Sequence, residues 1–265
     1  MTSREAPPPA GVPKRDLLGV PFALTDYGQA MDVMDGMIER RERGYVCAAA
    51  VHVLMVGRHD PETRAALRGA SLVVPDGRPL VWALNLLGAR LEDRVYGPEL
   101  TVRYCRRAAE RGHRVWLYGG ATPAALAELE RVLVARFPGI RVAGGVSPPH
   151  RPLTEAEERE LAERIDADSP DIVWVGIGAP KQELWMARMR PLLEAPVLAG
   201  VGAAFDFIAG RKRQAPAWMQ RSGLEWVFRL SQDPRRLGPR YLRYNPAFVA
   251  AFARQYVRER GGRGR

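Results

Sequence analysis

The sequence predicts an α/β protein with a Rossmann-like parallel sheet, crossover helices and a basic helical appendage at its C-terminal end. Short apolar, β-branched runs alternate with longer amphipathic stretches, which is typical of parallel strands joined by helices. Of the 265 residues, 46% are hydrophobic and 26% are charged, so the chain has ample material for a core. No apolar run approaches the roughly 18 residues of a membrane-spanning helix. This composition excludes a disordered, collagen-like or coiled-coil chain.

Six runs have the length and composition of buried strands. They are Tyr45–Val51, Ser71–Val74, Arg114–Tyr118, Ile140–Val146, Asp171–Ile177 and Pro196–Val201. In an open parallel sheet the carboxyl ends of the strands share one edge, and ligands bind beyond that edge. The residues that directly follow these runs are therefore candidates for a functional site.

The stretches between the strands carry signals for helix starts. Thr25 is placed to cap the first helix, and Pro123 stands at the first position of another. Thr154 and Glu157 form the spacing of a capping box. Helices are expected over about Asp26–Arg43, Glu99–Arg111, Thr122–Phe137, Thr154–Ala167 and Lys181–Glu194.

The ends of the chain differ from its body. Residues 1–16 predict a flexible Pro-rich N-terminus without the apolar run of a secretory signal. Residues 17–210 form the predicted α/β core, and residues 211–265 form the predicted appendage. The two cysteines, Cys47 and Cys105, lie in apolar context, which favours buried free thiols and a cytoplasmic location over a disulfide.

The positive charge is concentrated in the appendage. Residues 211–265 contain 14 basic and 3 acidic residues, a net +11, whereas residues 1–210 have a net charge of −1. The same segment is rich in aromatic residues, including Trp218 and Trp226. A basic, aromatic, amphipathic helical segment is typical of a protein that lies on an anionic bilayer. A helical pair packed on the body with solvated arginines is the alternative, and the two interpretations are compatible.

Two strand ends carry residues suited to acid–base chemistry or phosphate binding. Asp76 stands between Pro75 and Gly77, just after a buried strand. It is a candidate catalytic carboxylate, or a turn residue that caps the next helix. Gly119 and Gly120 precede a helix start. Glycines at such a position either let a phosphate approach the backbone N–H groups or simply form a tight turn.

Two further strand ends have similar features. In the run Gly176-Ile-Gly178-Ala-Pro-Lys181-Gln182, the lysine stands at a helix N-terminus, where its charge opposes the helix dipole unless an anion is bound. In the run from Gly200 to Phe207, Asp206 lies between two phenylalanines and is a candidate for contact with a base or ribose, or for capping a turn.

The sequence does not predict a metal site. Asp166 and Asp168 have the DxD spacing of a metal-binding carboxylate pair, but they end a helix before a strand and so belong to the opposite edge of the sheet. The histidines lack metal-ligand spacing.

An ordered set of motifs resembles the WecG/TagA/CpsF glycosyltransferases over roughly residues 17–250. The motifs are PDG at 75–77, RVYG at 94–97, LYGG at 117–120, SPP at 147–149, PDIVWVGIGAPKQE at 170–183, GVGAAFDFIAG at 200–210, GLEWVFRL at 223–230, PRR at 234–236 and RY at 240–241. The resemblance implies an inverting, metal-independent transferase without a cofactor. Such an enzyme moves a sugar from a UDP-sugar to an undecaprenyl-diphosphate-linked sugar at the cytoplasmic face of the membrane. A homo-oligomer is compatible with it, and no nucleic-acid partner is expected.

The resemblance also assigns roles to residues. Asp76 would be the base that takes the acceptor hydroxyl proton, with Arg94 and Gln182 beside it as catalytic residues. Residues expected to bind the nucleotide-sugar are Gly119, Gly120, Gly178, Lys181, Gln182 and Asp206. Residues expected to reach the lipid diphosphate are Arg229, Arg236 and Arg240.

The sequence departs from the family pattern at three positions. Many members carry Thr-x-Asn where this chain has Ala48 and Ala50, and Gln214 stands where arginine is common. Loss of two polar side chains from a sugar pocket predicts a different donor or acceptor sugar, or, as the alternative, a weakened enzyme.

Two functions of other classes remain as alternatives. A dinucleotide-dependent oxidoreductase would need a GxGxxG motif after its first strand, which this chain lacks. A non-catalytic basic adaptor for membranes or nucleic acids would need only the charged appendage.

Overall fold

The computed structural model describes residues 11–261 and contains a six-stranded parallel sheet between two layers of helices. The strands follow the order β4-β3-β8-β7-β5-β6, and every neighbouring pair is parallel. Their bounds are β3 Gly44–Ala49, β4 Leu72–Pro75, β5 Arg114–Gly119, β6 Arg141–Val146, β7 Ile172–Gly176 and β8 Val197–Gly200. The predicted fold class is confirmed.

Alternation along the strands divides the core between the two faces of the sheet. Tyr45 and Cys47 of β3 pack into one apolar cluster, whereas Val46 packs into the other. The core helices are α1 Tyr27–Glu39, α2 Val51–His59, α3 Pro61–Gly69, α4 Arg78–Leu86, α5 Gly97–Arg111, α6 Pro123–Arg136, α7 Glu155–Ala167, α8 Lys181–Met189 and α9 Ala204–Ile208. Of these, α2, α3, α4 and α9 were not among the predicted helices.

The predicted signals for helix starts were correct for two helices and wrong for one. Pro123 is the first residue of α6, as predicted, and Thr122 caps that helix. Thr154 forms the predicted capping box with Glu157 at the start of α7. The first helix is capped by Asp26, not Thr25, because the Asp26 carboxylate accepts the Gln29 N–H at 2.8 Å. The helix therefore begins one residue later than predicted and ends at Glu39.

The predicted flexible N-terminus extends too far. Residues 14–16 belong to strand β1 (Lys14–Leu17), which pairs antiparallel with β2 (Val20–Ala23). The two-residue turn places Leu18 and Gly19 at φ values of +53° and +89°. Residues 1–10 lie outside the described part of the chain.

The appendage is helical, as predicted, and it packs on the core. It consists of α10 (Ala217–Arg221), α11 (Glu225–Gln232) and α12 (Pro234–Gly261). Phe248 of α12 is buried in the core cluster, and Gln255 accepts the Leu18 N–H at 2.8 Å. Within residues 11–261, no helix is both long enough and apolar enough to cross a membrane. Cys47 and Cys105 are buried free thiols, as predicted.

Candidate active site

The predicted motifs lie along one edge of the sheet, at the carboxyl ends of the strands. Asp76 follows the outer strand β4, whereas Gly119 ends β5, four strands away. With neighbouring strands about 4.8 Å apart, these two positions are separated by roughly 19 Å. The candidate residues are therefore spread along this edge of the sheet and do not all meet at one point.

Asp76 is held rigidly at this edge. Its N–H donates to the Ala49 carbonyl oxygen at 3.0 Å, and its Oδ1 accepts the Gly97 N–H at 2.7 Å. Gly97 is the first residue of α5, so the carboxylate lies at the N-terminus of that helix. The following helix, α4, has Gly77 at its N-cap and no side-chain cap, so Asp76 does not cap it.

The pKa of Asp76 suits a base that works near neutral pH. Burial raises this pKa from the ordinary value of 3.8 to about 6, whereas the Arg94 charge and the Gly97 hydrogen bond lower it. Part of the Asp76 surface stays accessible. A partly accessible carboxylate with this pKa is able to accept a proton from a bound hydroxyl group.

Arg94 lies beside Asp76, as predicted. Its Nη1 donates to the Asp76 carbonyl oxygen at 3.3 Å, and its guanidinium stacks 4.2 Å from the centre of the Tyr96 ring. The side chain is only 9% exposed and forms an ion pair with Glu225 of α11. Gln220 of α10 accepts a further hydrogen bond from Nη2 at 3.2 Å. The appendage therefore completes the surroundings of Arg94.

The three predicted appendage arginines have different surroundings. Arg229 lies 5.9 Å above the Phe207 ring, and its charge lowers the pKa of Asp76. Arg240 donates to the His52 ring. Arg236 is 60% exposed and forms an ion pair with Asp233. The structure therefore places Arg229 with Asp76 and Arg236 at the surface.

His52 was not predicted as a site residue, although it supports Arg240. Burial and the positive charges of Arg240 and Arg229 lower the pKa of His52 to about 2. A neutral imidazole accepts the Arg240 hydrogen bond and so joins α2 to α12.

Gly119 and Gly120 allow tight packing of the protein itself. A Cβ at Gly119 would lie 2.8 Å from the Gly176 oxygen and 2.9 Å from the Phe205 ring. A Cβ at Gly120 would meet Leu126 at 3.3 Å, and both glycines have positive φ. The close approach that Gly119 permits is that of the Phe205 ring, so nucleotide contact at these glycines stays a prediction.

The start of α8 carries the other predicted residues. Lys181 is exposed, so its side chain is accessible to an anion. Gly178 has a φ of +84°, and among the described residues no atom beyond its two chain neighbours lies within 4 Å of the position that a Cβ would occupy there. Gln182 is 1% exposed, and its Oε1 accepts the Gly202 N–H at 2.9 Å. Its Nε2 donates to Glu183 at 3.0 Å. Gln182 therefore connects α8 to the end of β8, and its direct contact with substrate stays a prediction.

Asp206 already has protein partners. Its carboxylate forms ion pairs with Arg211, at 2.8 Å, and with Lys212. The side chain is 25% exposed, so a ribose would have to share it with these two cations. Uridine contact at Asp206 stays a prediction.

The departures from the family pattern lie close to Asp76. A Cβ at Gly97 would be 3.3 Å from the Ala48 methyl group, so Ala48 faces the start of α5. Ala50 is the N-cap residue of α2 and offers no capping side chain. Gln214 lines a polar pocket of about 230 Å³ together with Arg94 and Gln220.

Sequence reasoning assigned no role to two buried carboxyls at the site. Glu183 is fully buried, and burial raises its pKa to about 7; the Asp76 charge also contributes. Glu225 is 7% exposed and pairs with Arg94. Glu183 is the first residue of the sequence ELWM, and Glu225 is the first residue of EWVF. A single carboxylate among apolar and aromatic residues is a sequence signal of a buried charge.

Neither member of the DxD pair lies at the candidate site. Asp168 accepts the Trp116 indole N–H at 2.9 Å, and Asp166 accepts the Glu194 N–H at 2.9 Å. Both carboxylates have structural roles. Among residues 11–261, no group of three or more His, Cys, Asp or Glu side chains is arranged to hold a metal ion.

The fold and the site define an α/β enzyme in which a carboxyl group with a raised pKa lies beside an arginine, an arrangement suited to a glycosyltransferase with a phosphorylated donor. The sequence profile of the "Glycosyl transferase WecG/TagA/CpsF family" matches residues 15–262, and the chain belongs to that family. The predicted family and the predicted glycosyltransferase activity, that of a hexosyltransferase, are confirmed.

Two relatives are similar along most of their length. A protein of Bacillus spizizenii is 31% identical over 199 residues, which cover 75% of each chain. A protein of Staphylococcus aureus strain MW2 is 28% identical over 243 residues, which cover 91% of this chain and 92% of the relative. Both are named N-acetylglucosaminyldiphosphoundecaprenol N-acetyl-beta-D-mannosaminyltransferase.

Proposed function

We propose that this chain is an inverting, metal-independent glycosyltransferase that moves a hexose, N-acetylmannosamine or a related sugar, from a UDP-sugar to an undecaprenyl-diphosphate-linked sugar. The product belongs to a cell-surface polysaccharide such as teichoic acid, capsule or exopolysaccharide. One observation carries the proposal: Asp76 follows β4 at the carboxyl edge of the sheet, burial raises its pKa to about 6, and the Arg94 guanidinium contacts its carbonyl oxygen. The names of the two relatives support the lipid-linked acceptor.

Asp76 performs the proton transfer. Inversion is a single displacement at the anomeric carbon: the acceptor oxygen forms its bond as the bond to the UDP oxygen breaks. The acceptor hydroxyl proton passes to the Asp76 carboxylate. A pKa near 6 leaves Asp76 ionised at pH 7 and more basic than an ordinary aspartate.

The arginines stabilise the charge of the leaving group. Breaking the glycosidic bond leaves negative charge on UDP, which fixed positive groups must stabilise when no metal does so. Arg229 and Arg94 are fixed by Phe207, Glu225 and Tyr96 before substrate binds. Such preorganised charges need no rearrangement during the reaction.

The decisive experiment measures UDP release from a panel of UDP-sugars with a polyprenyl-diphosphate-linked sugar. We expect turnover with one donor, no effect of EDTA, and loss of turnover in Asp76→Asn. The panel is needed because Ala48 and Ala50 replace polar residues of the family pattern. No turnover with any donor, or full activity of Asp76→Asn, would refute the proposal.

The appendage supports peripheral binding to the cytoplasmic face of an anionic membrane. Leu242, Val249 and Val257 are 79%, 63% and 69% exposed and recur at intervals of seven and eight residues, so they lie on one side of α12. Exposed arginines surround this apolar stripe; they include Arg235, Arg243, Arg254 and Arg258. A helix of this kind binds anionic lipid through both its apolar side and its charge.

Vesicle binding tests this part of the proposal. Cosedimentation with vesicles that contain anionic lipid should be strong, and weak with neutral vesicles. Val249→Glu should reduce it, whereas Val134→Glu should not, because Val134 is 52% exposed on α6 of the core. Equal loss in both variants would argue against binding through α12.

A further inference from the structure

The ion pair between Arg94 and Glu225 joins the core to the appendage directly beside Asp76. Arg94 lies on the loop before α5, and Glu225 is the first residue of α11. The two side chains are 9% and 10% exposed, so their charges are largely shielded from water. A pair in such surroundings holds both partners in one geometry, and removal of one partner leaves the other charge buried and uncompensated.

The pair determines which part of Asp76 the guanidinium contacts. Arg94 donates to the backbone carbonyl oxygen of Asp76 at 3.3 Å, whereas the Asp76 carboxylate accepts the Gly97 N–H at 2.7 Å. Glu225 is the carboxylate that neutralises Arg94. Without it, the Asp76 carboxylate is a neighbouring anion to which the guanidinium could turn, because Arg94 already contacts that residue.

We propose that Glu225 is a positioning residue that holds Arg94 away from the Asp76 carboxylate and thereby lets the docked appendage maintain Asp76 as an effective base. This inference rests on the role of Asp76 in the proposed function. In this arrangement catalysis depends on the appendage through the Glu225 carboxylate, in addition to any contact that the appendage arginines make with substrate.

The charges around Asp76 all act in a defined direction. Burial makes the largest contribution and raises the pKa of Asp76; Arg94 and Arg229 lower it, and Glu225 raises it. The titratable and charged groups that face Asp76 are Arg94 and Tyr96 before α5, Glu225 and Arg229 of α11, Glu183 of α8 and Tyr27 of α1. Loss of the Glu225 charge therefore lowers the pKa of Asp76 in two ways. A nearby negative charge disappears, and the positive charge of Arg94 is no longer neutralised.

The test follows the Asp76 carboxyl carbon by ¹³C NMR titration of the full chain, with Asp76→Asn used for assignment. We expect the pKa of Asp76 to fall by about one unit or more in Glu225→Gln, the size of shift that a close guanidinium causes. Glu225→Asp, which keeps the charge on a shorter side chain, should show a smaller fall. Glu259→Gln is the matched control, because the Glu259–Arg15 pair also joins the appendage to the core.

Three outcomes would overturn the inference. An unchanged pKa in Glu225→Gln, or an equal fall in Glu259→Gln, overturns it. If circular dichroism shows that Glu225→Gln does not fold, Glu225→Asp carries the test, and an unchanged pKa there overturns the inference.

Kinetics separate this inference from the proposed function. In Glu225→Gln the acid limb of kcat/KM should move to lower pH, and kcat at pH 7 should fall by up to about tenfold per unit of pKa change, because a weaker base accepts the proton less readily. A purely structural role would lower kcat without moving the limb. If the wild-type chain turns over no donor, the proposed function fails, and the NMR titration still decides the inference.

Discussion

The Asp76 carboxylate accepts the backbone N–H of Gly97 at 2.7 Å, which joins the end of β4 to the first residue of α5. The positive end of this 15-residue helix favours the ionised carboxylate, whereas burial opposes it. Gly97 is tightly packed: a Cβ would lie 3.2 Å from the Val201 oxygen and 3.3 Å from the Ala48 methyl group, so a side chain there would require these neighbours to shift. This local arrangement fixes the position of Asp76, and its hydrogen bond lowers the pKa that burial raises.

Asp76→Asn should abolish turnover and preserve the fold. Asparagine keeps an oxygen that can accept the Gly97 N–H but cannot act as a base, so we expect kcat to fall by about 10²–10⁴-fold. UDP-release kinetics and a thermal melt measure the two effects. Asp168→Asn is the control, because Asp168 accepts the Trp116 N–H away from the site. Comparable losses of kcat in both variants would contradict the assignment of the base.

The pH dependence of kcat/KM should show an acid limb near pH 6. The base must be ionised to accept the proton, and burial raises the pKa of Asp76 to about 6. The rate should therefore rise about tenfold per pH unit below pH 6 and level off above it. Initial rates between pH 4.5 and 8 with subsaturating acceptor test this. A limb near pH 4 would show that Asp76 titrates like an ordinary aspartate.

Gly176→Ala should destabilise the chain through the Phe205 ring. A Cβ at Gly176 would lie 2.7–2.9 Å from three atoms of that ring, so either the ring or the end of β7 must move. We expect a loss of about 1–3 kcal/mol in the free energy of unfolding. Urea unfolding of Gly176→Ala, Phe205→Leu and the double variant measures it. The double variant should lose less than the sum of the single losses, and strict additivity would contradict the contact.

The parallel sheet was predictable because its strands are short apolar runs separated by helices with recognisable caps. The capping box of Thr154 and Glu157 illustrates this, since both residues are local and their spacing is fixed. The β1–β2 hairpin was missed because its turn consists of Leu18 and Gly19. Both have positive φ, a conformation for which Asn-Gly is the usual sequence signal and leucine gives none.

The site was predictable only in part, for a physical reason. Asp76 stands out because it lies just after a predicted strand, whereas Arg94 was identified only through the RVYG motif of the family resemblance. The partner of Arg94, Glu225, comes from a helix far along the chain, and only packing of the appendage brings the two together. The same applies to His52 and Arg240, which meet across α2 and α12.

Burial likewise depends on tertiary packing. Gln182 was predicted to line a nucleotide site, yet it is 1% exposed and hydrogen-bonds with Gly202 and Glu183. The motif that contains Gln182 indicated the correct edge of the sheet. It could not show which of its side chains point inward.

Glu183→Gln should change how stability depends on pH. Burial raises the pKa of Glu183 from 4.5 to about 7, so the folded chain holds this proton more tightly than the unfolded chain does. The resulting stabilisation is complete below about pH 4.5 and is lost as the pH rises through 7, a change of up to about 3 kcal/mol. Glutamine has no proton to lose and still accepts the Gln182 hydrogen bond, so the variant should gain stability relative to wild type between pH 5 and pH 8.

Urea unfolding at both pH values measures this difference, and the contribution of Asp76 largely cancels because both proteins contain it. Glu160→Gln is the matched control: Glu160 is exposed on α7, and this variant should follow the wild type at both pH values. A constant difference between Glu183→Gln and wild type would mean that Glu183 is ionised throughout the range. Its buried carboxylate would then need a cation that the contacts of Gln182 and Glu183 do not supply.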